Sequence, residues 1–452
     1  MLNIQTDTHP SQLKGESSYE TVISTIFETW KNSHIDFVVL RNYTNLPTDP
    51  GNDLDILIDQ HQIHQAETIL INSMRSLGYH MYNRAEFACT SLYFINGSHH
   101  PLHIDLFADF TWRGFHYFSD TMVLNNRESN ALFSIPHPIH EGILNLLTRL
   151  LYHGYVPEKY KSFIKQSFQK ESGLASTILG SYFGLTLANQ LIEGILRENW
   201  TFIQSKTWAL RLQLMIRQLI REPIVTIKNL LRYSVLLLNR FLHPPGLFII
   251  FLGPDGSGKS TLAHRLIENL GSRFFVGPGS YVHWKSRLFF TSKTSNQDTC
   301  PNPHEAPIRS PLLSLVFFLY HWFEFAIGSL IKLRPLLFSN RMIIFDRYYH
   351  DFEVDQKRYR LQIPQAVIKL GKSFLRPPDM IFGLTASPEI LQSRKSEVPI
   401  TESIRQGEAY IQLVNSHKNG YVIEASAPLQ EIEQKLQLLI LEFLVKRTNS
   451  PS

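Results

Sequence analysis

Helical and strand-like spacings of apolar residues alternate near the start of the chain. Residues 18–32 and 64–78 place apolar side chains three and four positions apart, which predicts two amphipathic helices. Short apolar runs bounded by turn residues predict four strands, at 35–42, 53–59, 90–97 and 101–109. The mixture predicts an α+β domain.

The pattern becomes helical almost throughout from 136 to 243 and stops at His-Pro-Pro-Gly, residues 243–246. Consecutive prolines cannot continue a helix, so we expect a domain boundary there. The following LFIIFLG is a continuous apolar run that ends in a glycine, which is typical of a central parallel strand. We therefore predict three domains, at 18–130, 136–243 and 245–447.

The last of these domains alternates strands with helices. Strands are predicted at 341–351, 379–385 and 420–426, and helices at 260–270, from Pro388 onward and at 429–447. Such alternation predicts an α/β fold, in which helices cover both faces of a parallel sheet and ligands bind at the carboxyl ends of the strands.

One apolar stretch, residues 312–331, is long enough to span a bilayer. His321 and Glu324 lie near its middle, where a charged group costs at least ~2.5 kcal/mol in a membrane. We interpret the stretch as a buried helix of a soluble domain, with a membrane role as the alternative.

Composition and charge favour a globular protein that binds phosphorylated small molecules. The net charge is +5, and the basic residues are scattered between aromatic residues, so nucleic acid is not an expected partner. Cys89 and Cys300 form no CxxC pair, which favours a reducing compartment over a disulfide framework. Because residues 1–20 contain no apolar signal-peptide core, we expect a cytoplasmic protein.

The strongest motif follows the apolar run at 247–252. Gly253, Gly258, Lys259 and Ser260 satisfy G-x-x-x-x-G-K-[ST] directly before a predicted helix. In such a loop, backbone N–H groups surround phosphate oxygens, the lysine reaches the β and γ phosphates, and the serine hydroxyl ligates Mg2+. The motif predicts that ATP and Mg2+ bind at Gly253, Asp255, Gly256, Ser257, Gly258, Lys259, Ser260 and Thr261.

An acidic residue, Asp346, ends the apolar strand in RMIIFDRYYHD. P-loop proteins take the second carboxylate of their Mg2+ site from such a strand end. We predict that Asp346 and Ser260 share the metal. The alternative is a surface acid without a ligand.

Three segments of the last domain carry a family resemblance. GPDGSGKST, FDRYY and PDMIFGLTASPEILQSRK together resemble the thymidylate kinase branch of the P-loop nucleoside monophosphate kinases, over roughly 245–447. The resemblance implies that Asp255 lies near the sugar of the phosphate acceptor and that Arg347 clamps the acceptor's phosphate. It also implies basic residues that stabilise the transferred phosphoryl group. Because positions 254–257 are not basic, the candidates lie on a lid: Arg394, Lys395 and Arg405.

The residues that follow Arg347 depart from that family. Thymidylate kinases continue with a serine and a tyrosine-glutamine motif near the base, whereas this chain has Arg358, Tyr359 and Arg360 where the thymine pocket is expected. We expect an acceptor that need not be thymidylate, either a nucleoside monophosphate or a sugar phosphate. The layout is also similar to bacterial thymidylate kinase-like proteins encoded with polysaccharide biosynthesis functions.

The first domain contains a second candidate site. Asp53 and Asp55 are two apart on one predicted strand and share a face, and Asp105 lies on another apolar strand. Three converging carboxylates can bind Mg2+ ions that hold a nucleoside triphosphate. The segment resembles the nucleotidyltransferase fold over about 18–120, with Arg41-Asn42 in place of that family's Gly-Ser pair. The alternative is a degenerate domain that binds a ligand or only packs.

Residues 208–241 are strongly basic and rich in leucine and isoleucine. They contain a single acid, Glu222, against Arg211, Arg217, Arg221, Lys228, Arg232 and Arg240. A basic amphipathic helix can lie on an anionic membrane, so peripheral membrane contact is one interpretation. The other is a helical linker whose apolar face packs on its neighbours.

Together these features predict an enzyme whose last domain transfers the γ-phosphoryl group of ATP to a small phosphorylated acceptor. Lys259 and the loop amides would hold the donor, Arg347 and Asp255 would place the acceptor, and the lid residues would neutralise the transferred charge. The protein would be bifunctional if the first domain is active. Two alternatives stay open. One is a Mg2+-dependent nucleotidyltransferase that uses Asp53, Asp55 and Asp105 with a regulatory P-loop domain; the other is a non-catalytic nucleotide-binding switch.

Overall fold

The computed structural model describes residues 18–97, 101–283, 307–387, 389–391 and 400–449. These residues form two compact units, a first unit up to Leu237 that also takes in Thr448 and Asn449, and a second unit from Leu238 to Arg447. The predicted subdivision of the first unit into an α+β domain and a helical domain stays a prediction.

The first unit contains a mixed sheet with helices α1 (Tyr19–Asn32) and α2 (Ile63–Ser76). Its strands are β1 (Phe37–Val39), β2 (Leu54–Ile58), β3 (His80–Glu86), β4 (Thr90–Ile95) and β5 (Leu102–Phe107), in the order β1-β2-β5-β4-β3. Strands β2 and β5 run parallel, and the other neighbours run antiparallel. The sequence pattern missed β3, because polar residues interrupt its apolar positions and pairing with β4 holds it extended.

A hairpin and a series of helices complete the first unit. They are β6 (Phe110–Trp112), β7 (Phe115–Phe118), α3 (Asp120–Asn125), β8 (Glu128–Ser129), β9 (Ser134–Ile135), α4 (Pro138–His153), α5 (Glu158–Lys170), α6 (Ser172–Phe183), α7 (Leu185–Leu196), α8 (Trp200–Ser205), α9 (Thr207–Arg221) and α10 (Pro223–Leu242). One apolar core contains residues of α4 to α9 together with Val38 and Leu57 of the sheet. The helices and the sheet therefore share a core.

The second unit has the predicted α/β architecture. Its elements are β10 (Leu247–Leu252), α11 (Lys259–Leu266), α12 (Ser272–Phe274), β11 (Ser280–His283), α13 (Pro311–Gly328), α14 (Arg334–Phe338), β12 (Met342–Asp346), α15 (Asp351–Val354), α16 (Gln365–Lys372), β13 (Met380–Thr385), α17 (Ile400–Asn415), β14 (Gly420–Glu424) and α18 (Leu429–Asn449). The described strands form a parallel sheet in the order β11-β12-β10-β13-β14, with helices on both faces.

The central strand β10 fixes where the site lies. All six of its residues are buried, and its register places Phe251 opposite Asp346 of β12 and Leu252 opposite Gly383 of β13. Since the strands are parallel, the loop after β10 and the acid that ends β12 lie at the same edge of the sheet. The predicted helix over 260–270 is shorter than expected, because α11 passes into a π-helical turn at Ile267–Gly271.

Two helices leave many of their apolar side chains exposed. In α13 the buried residues are Ser314, Phe318, Phe325 and Gly328, whereas many of its other apolar side chains are exposed. Helix α10 likewise packs little of its apolar face. The expectation of a buried helix at 312–331 was wrong, because hydropathy measures composition and does not reveal which face meets the core. For 208–241 both interpretations, a packed linker and peripheral membrane contact, stay predictions. The segment Pro311–Phe338 is long and apolar enough to cross a membrane. The core helix of a soluble protein can have the same length and composition.

Candidate active site

Residues 253–258 form a tight loop between β10 and α11. Gly253 and Gly258 have φ values of 144° and 86°, in a region that L side chains rarely adopt. A Cβ atom on Gly253 would also collide with the carbonyl oxygen of Leu384 in β13. The backbone path of the loop therefore requires glycine at its first and last positions, 253 and 258.

Lys259, the first residue of α11, is buried inside this loop. Its Nζ donates hydrogen bonds to the carbonyl oxygens of Gly253 at 3.0 Å and Pro254 at 2.9 Å. Burial lowers the pKa of Lys259 to about 8, and the positive charge of Arg347 adds to this effect. The negative charges of Asp346 and Asp255 oppose it and favour a higher pKa. The ammonium group is thus held at the point where the motif requires a cation.

A cavity of ≈ 500 Å³ lies against the loop. It is lined by predicted site residues, namely Asp255, Gly256, Ser257, Gly258, Lys259, Ser260, Thr261 and Asp346. Leu262, Ala425, Ala427, Leu429 and Ile432 complete its lining. The loop, the start of α11 and the end of β12 therefore meet around one space, as the motif predicts. The volume falls within the range of small-molecule pockets.

Tyr281 joins the two predicted metal-binding residues. Its hydroxyl donates a hydrogen bond to Oδ2 of Asp346 at 2.9 Å and also interacts with the Ser260 side chain. Burial, followed by the negative charge of Asp346, raises the pKa of Tyr281, so the phenol stays a proton donor at neutral pH. Since a single hydroxyl reaches both side chains, Ser260 and Asp346 lie close together. No role was predicted for Tyr281, because β11 carries no recognisable motif.

Asp255 accepts hydrogen bonds from two arginines. Arg347 donates from Nη2 to Oδ1, and Arg358 donates from Nη1 to Oδ2 at 3.0 Å. Burial favours a higher pKa for Asp255, but the guanidinium groups of Arg347 and Arg358 outweigh burial and hold that pKa well below its usual range. The acid in the phosphate loop is therefore ionised and orients two cations.

Asp351 holds the other side of Arg347. Its carboxylate lies 3.6 Å from Nη1 of Arg347 and accepts hydrogen bonds from the hydroxyls of Tyr359, at 2.6 Å, and Tyr410. Nη1 of Arg347 is buried and makes no hydrogen bond with the described residues. The guanidinium is thus fixed between Asp255 and Asp351 and keeps a donor for a further group. Neither Asp351 nor Tyr410 was found by sequence analysis.

The three residues expected in place of a thymine pocket separate in the structure. Arg358 faces Asp255, and Tyr359 faces Asp351. The Nε of Arg360 donates to the carbonyl oxygen of Pro307 at 2.9 Å. Only two of the three therefore belong to the described cluster around Arg347.

The predicted lid residues are not brought to the loop in the described part of the chain. Arg405 lies on α17, where it donates to Glu402 at 2.6 and 2.9 Å and to the carbonyl oxygen of Val354 at 3.1 Å. It does not line the cavity beside Lys259. Arg394 and Lys395 lie outside the described residues. The role of all three in phosphoryl transfer stays a prediction.

The three acidic residues of the first unit do come together. Asp55 in β2 lies opposite Asp105 in β5, Asp53 immediately precedes β2, and carboxylate oxygens of all three lie within 4.8 Å of one another. His103 Nε2 lies 2.9 Å from Oδ1 of Asp105. The placement agrees with the predicted convergence of carboxylates.

Arg41 occupies the centre of that cluster. Its guanidinium bonds both oxygens of Asp55, one of them at 2.9 Å, and lies 3.4 Å from Oδ2 of Asp53. Burial raises the pKa of Asp55 to about 6, although Arg41 opposes the rise. Carboxylates suit Mg2+, but here a guanidinium already satisfies two of the three. A metal would have to displace Arg41.

The second unit has a parallel α/β fold and a loop of the phosphate-binding class. A glycine loop with a buried lysine follows the central strand of its parallel sheet, and an acid followed by an arginine ends the neighbouring strand. This arrangement suits binding of a nucleotide's phosphates and of a second anion beside them.

Comparisons with known proteins point to the same class. No family model matches the sequence. The chain is 27% identical over 194 residues to probable thymidylate kinase 1 of Saccharolobus solfataricus, which covers 41% of this chain and 93% of that protein. It is 29% identical over 164 residues to the thymidylate kinase of Leptospira borgpetersenii serovar Hardjo-bovis, covering 33% and 69%. Thymidylate kinase homology thus extends over about 40% of the chain and supports a kinase.

Among solved structures, the thymidylate kinase from Ehrlichia chaffeensis aligns with a TM-score of 0.31 and 17% identity. The alignment covers 43% of this chain and 100% of that one.

Proposed function

We propose that the second unit is an ATP-dependent kinase that moves the γ-phosphoryl group of ATP to a small phosphorylated acceptor, either a nucleoside monophosphate or a sugar phosphate. The observation that carries the proposal is the position of Arg347. This arginine follows Asp346 directly and is held by Asp255 against the same loop that contains Lys259. Donor and acceptor phosphates would therefore meet at one edge of the sheet.

The donor would bind to the loop amides and to Lys259. Phosphate oxygens would replace the carbonyl oxygens of Gly253 and Pro254 as partners of the ammonium group, an exchange that a phosphate favours by its charge. Ser260 and Asp346 supply a hydroxyl and a carboxylate, which are oxygen ligands suited to Mg2+. When bound, Mg2+ neutralises charge on the phosphates.

The acceptor's phosphate would bind to Arg347 and Arg358. Nη1 of Arg347 is a buried donor without a hydrogen bond among the described residues, which is costly unless a ligand satisfies it. Asp255 and Asp351 hold the guanidinium by two ion pairs. Catalysis by positioning and charge compensation requires no general base among the side chains.

Product analysis tests this proposal. The purified protein is incubated with Mg-ATP and with a panel of nucleoside monophosphates and sugar phosphates, and the products are identified by mass spectrometry. ADP together with an acceptor that has gained one phosphoryl group is expected, and Lys259→Ala should abolish it. Lys369→Ala, which changes an exposed lysine on α16, serves as the matched control and should retain activity. Tight ATP binding without turnover of any acceptor would indicate a switch.

The carboxylates of the first unit support a second candidate, Mg2+-dependent nucleotidyl transfer. The supporting observation is the approach of Asp53, Asp55 and Asp105 within 4.8 Å. This reaction would release pyrophosphate and would be lost in Asp55→Asn but retained in Lys259→Ala. Pyrophosphate production that survives Asp55→Asn would exclude it.

A further inference from the structure

Helix α10 turns its most apolar face away from the body of the first unit. Ile224, Leu231 and Val235 are 82%, 64% and 66% exposed, and their spacing of seven and four residues places them on one face. Within α10, Thr226 is the only fully buried residue, and Asn229 beside it is half-buried. A surface helix of a soluble protein normally has the opposite arrangement, with its apolar face inward.

Helix α9 repeats this exposure directly before α10. Leu210 and Leu214 are buried, yet Trp208 and Ile220 are 76% and 75% exposed, and Leu212 between them is also exposed. We define the α9–α10 stripe as Trp208, Leu212, Ile220, Ile224, Leu231 and Val235. All six belong to the first unit. Large exposed apolar residues on two successive helices favour an interaction surface.

Cations border the stripe on α10. Lys228 and Arg232 are exposed, and on a helix they lie beside the face formed by Ile224, Leu231 and Val235. Other arginines of α9 are used inside the unit, because Arg211 donates to the carbonyl oxygen of Leu151 and Arg221 donates to that of Ser181. The cations at the edge of the stripe are therefore available to an external anion.

We propose that the α9–α10 stripe binds the surface of an anionic lipid bilayer. Apolar side chains would enter the boundary between headgroups and acyl chains, and Lys228 and Arg232 would contact anionic headgroups, which is the pattern of an interfacial helix. The side of α10 that carries Thr226, Leu230 and Tyr233 packs on its own unit, so the helix would lie in the interface and would not span the membrane.

The charge at the edge of the stripe favours a lipid surface over a second copy of the chain. A two-fold contact would place the same basic surface on both sides of the interface. Between 206 and 242, Glu222 is the only acid in the sequence. An anionic bilayer complements them directly.

Vesicle flotation with the full-length protein tests the proposal. The protein should float with vesicles of phosphatidylcholine mixed with phosphatidylglycerol and remain at the bottom with phosphatidylcholine alone, and high salt should weaken retention. The pair Lys228→Ala and Arg232→Ala should lower partitioning about 25-fold, at about five-fold for each cation. The pair Leu231→Glu and Val235→Glu should abolish it.

Controls distinguish lipid binding from damage to the fold. Leu438→Glu introduces the same charge at an exposed leucine of α18, in the second unit, and should float as the unaltered protein does. Because Leu231 and Val235 are exposed, their variants should keep the circular dichroism spectrum and melting temperature. The proposal is overturned if the unaltered protein does not float with anionic vesicles, or if the Glu variants float equally well. A dimer that Leu231→Glu dissociates, without vesicle binding, would assign the stripe to a second copy.

Discussion

Asp255 and Arg347 form an ion pair that ties the phosphate loop to the end of β12. The two side chains are separated by 92 positions in sequence, and Arg347 is almost completely buried where they meet. Arg347 also has a φ of 60° and donates its backbone N–H to the carbonyl oxygen of Phe251 at 3.1 Å. The acid in an anion-binding loop is thus explained by the cation that it orients.

Asp255→Asn should impair use of the acceptor more than use of ATP. The amide cannot hold both guanidinium groups, so Arg347 and Arg358 lose a common anchor, and a small displacement of such groups costs about 100-fold in kcat/KM. Steady-state kinetics with each substrate varied in turn measure the effect. Equal losses for ATP and for the acceptor would contradict an orienting role.

Arg347→Met should destabilise the fold. Removing the guanidinium leaves Asp351 without its cation and leaves Asp255 with Arg358 as its partner. Breaking a buried ion pair from one side costs about 3–5 kcal/mol. Urea unfolding measures the change in the free energy of unfolding. As the control, Arg197→Met removes an exposed pair with Glu193 and should cost less than about 1 kcal/mol. A loss below about 1 kcal/mol for Arg347→Met would show that the pair is not a structural link.

The affinity for ATP should fall as the pH rises through about 8. Lys259 is protonated below its pKa of about 8, and only the ammonium form attracts phosphate, so binding is strongest below that pH. In the unfolded chain this lysine stays protonated to higher pH. Burying its charged form therefore lowers the free energy of unfolding below about pH 8, and this destabilisation decreases as the pH rises above 8.

Calorimetric titration with ATP across this pH range measures the dependence on Lys259. Lys259→Arg should bind ATP more weakly but with a flatter profile, because an arginine stays charged. If the ATP affinity of Lys259→Arg falls by the same factor as the pH rises through about 8, the titrating group is not Lys259.

Tyr281→Phe should raise the Mg2+ concentration needed for half-maximal activity. The lost hydroxyl orients Asp346 from outside the metal's own ligands, and such losses typically weaken metal affinity about 10-fold or more. Activity at increasing Mg2+ measures the shift. Tyr320→Phe, at an exposed tyrosine of α13, should leave the Mg2+ dependence unchanged. A Tyr281→Phe variant with lower kcat but the same Mg2+ dependence would contradict this role.

Arg41→Ala should create or strengthen a divalent-cation site in the first unit. Its guanidinium satisfies Asp53 and Asp55, so its removal leaves neighbouring carboxylates that a cation can bridge. Binding of Mn2+ without nucleotide, followed by electron paramagnetic resonance, measures the change. The double variant Arg41→Ala, Asp55→Asn should lose the additional Mn2+ binding that Arg41→Ala produces. If Arg41→Ala binds no more Mn2+ than the unaltered protein, the cluster is an ion-pair network only.

Local sequence predicted the parts of the site that depend on consecutive residues. The loop 253–258 and Lys259 follow from one motif, because the glycines that set its backbone path are adjacent to the residues that they position. Asp346 was predicted from its place at the end of an apolar strand. The parallel sheet followed from the alternation of strands and helices.

Residues that join the site by packing could not be predicted in this way. Tyr410 reaches Asp351 across 59 positions, and Tyr281 reaches Asp346 across 65, with no short motif at either tyrosine. Arg405 was a plausible lid residue by its charge, but Glu402, one helical turn earlier, pairs with it. Sequence alone left the orientation of the α10 face undecided, because an apolar stripe looks the same in sequence whether it packs inward or points outward.

Label transfer from ATP tests the central claim most directly. The unaltered protein is given an acceptor from the active class with ATP labelled either at the γ or at the α phosphorus, and the labelled acceptor is separated and counted. The proposed kinase moves the γ label and leaves the α label in ADP, and Lys259→Ala loses this transfer. Transfer of the α label with release of pyrophosphate would contradict the account and assign the chemistry to Asp53, Asp55 and Asp105.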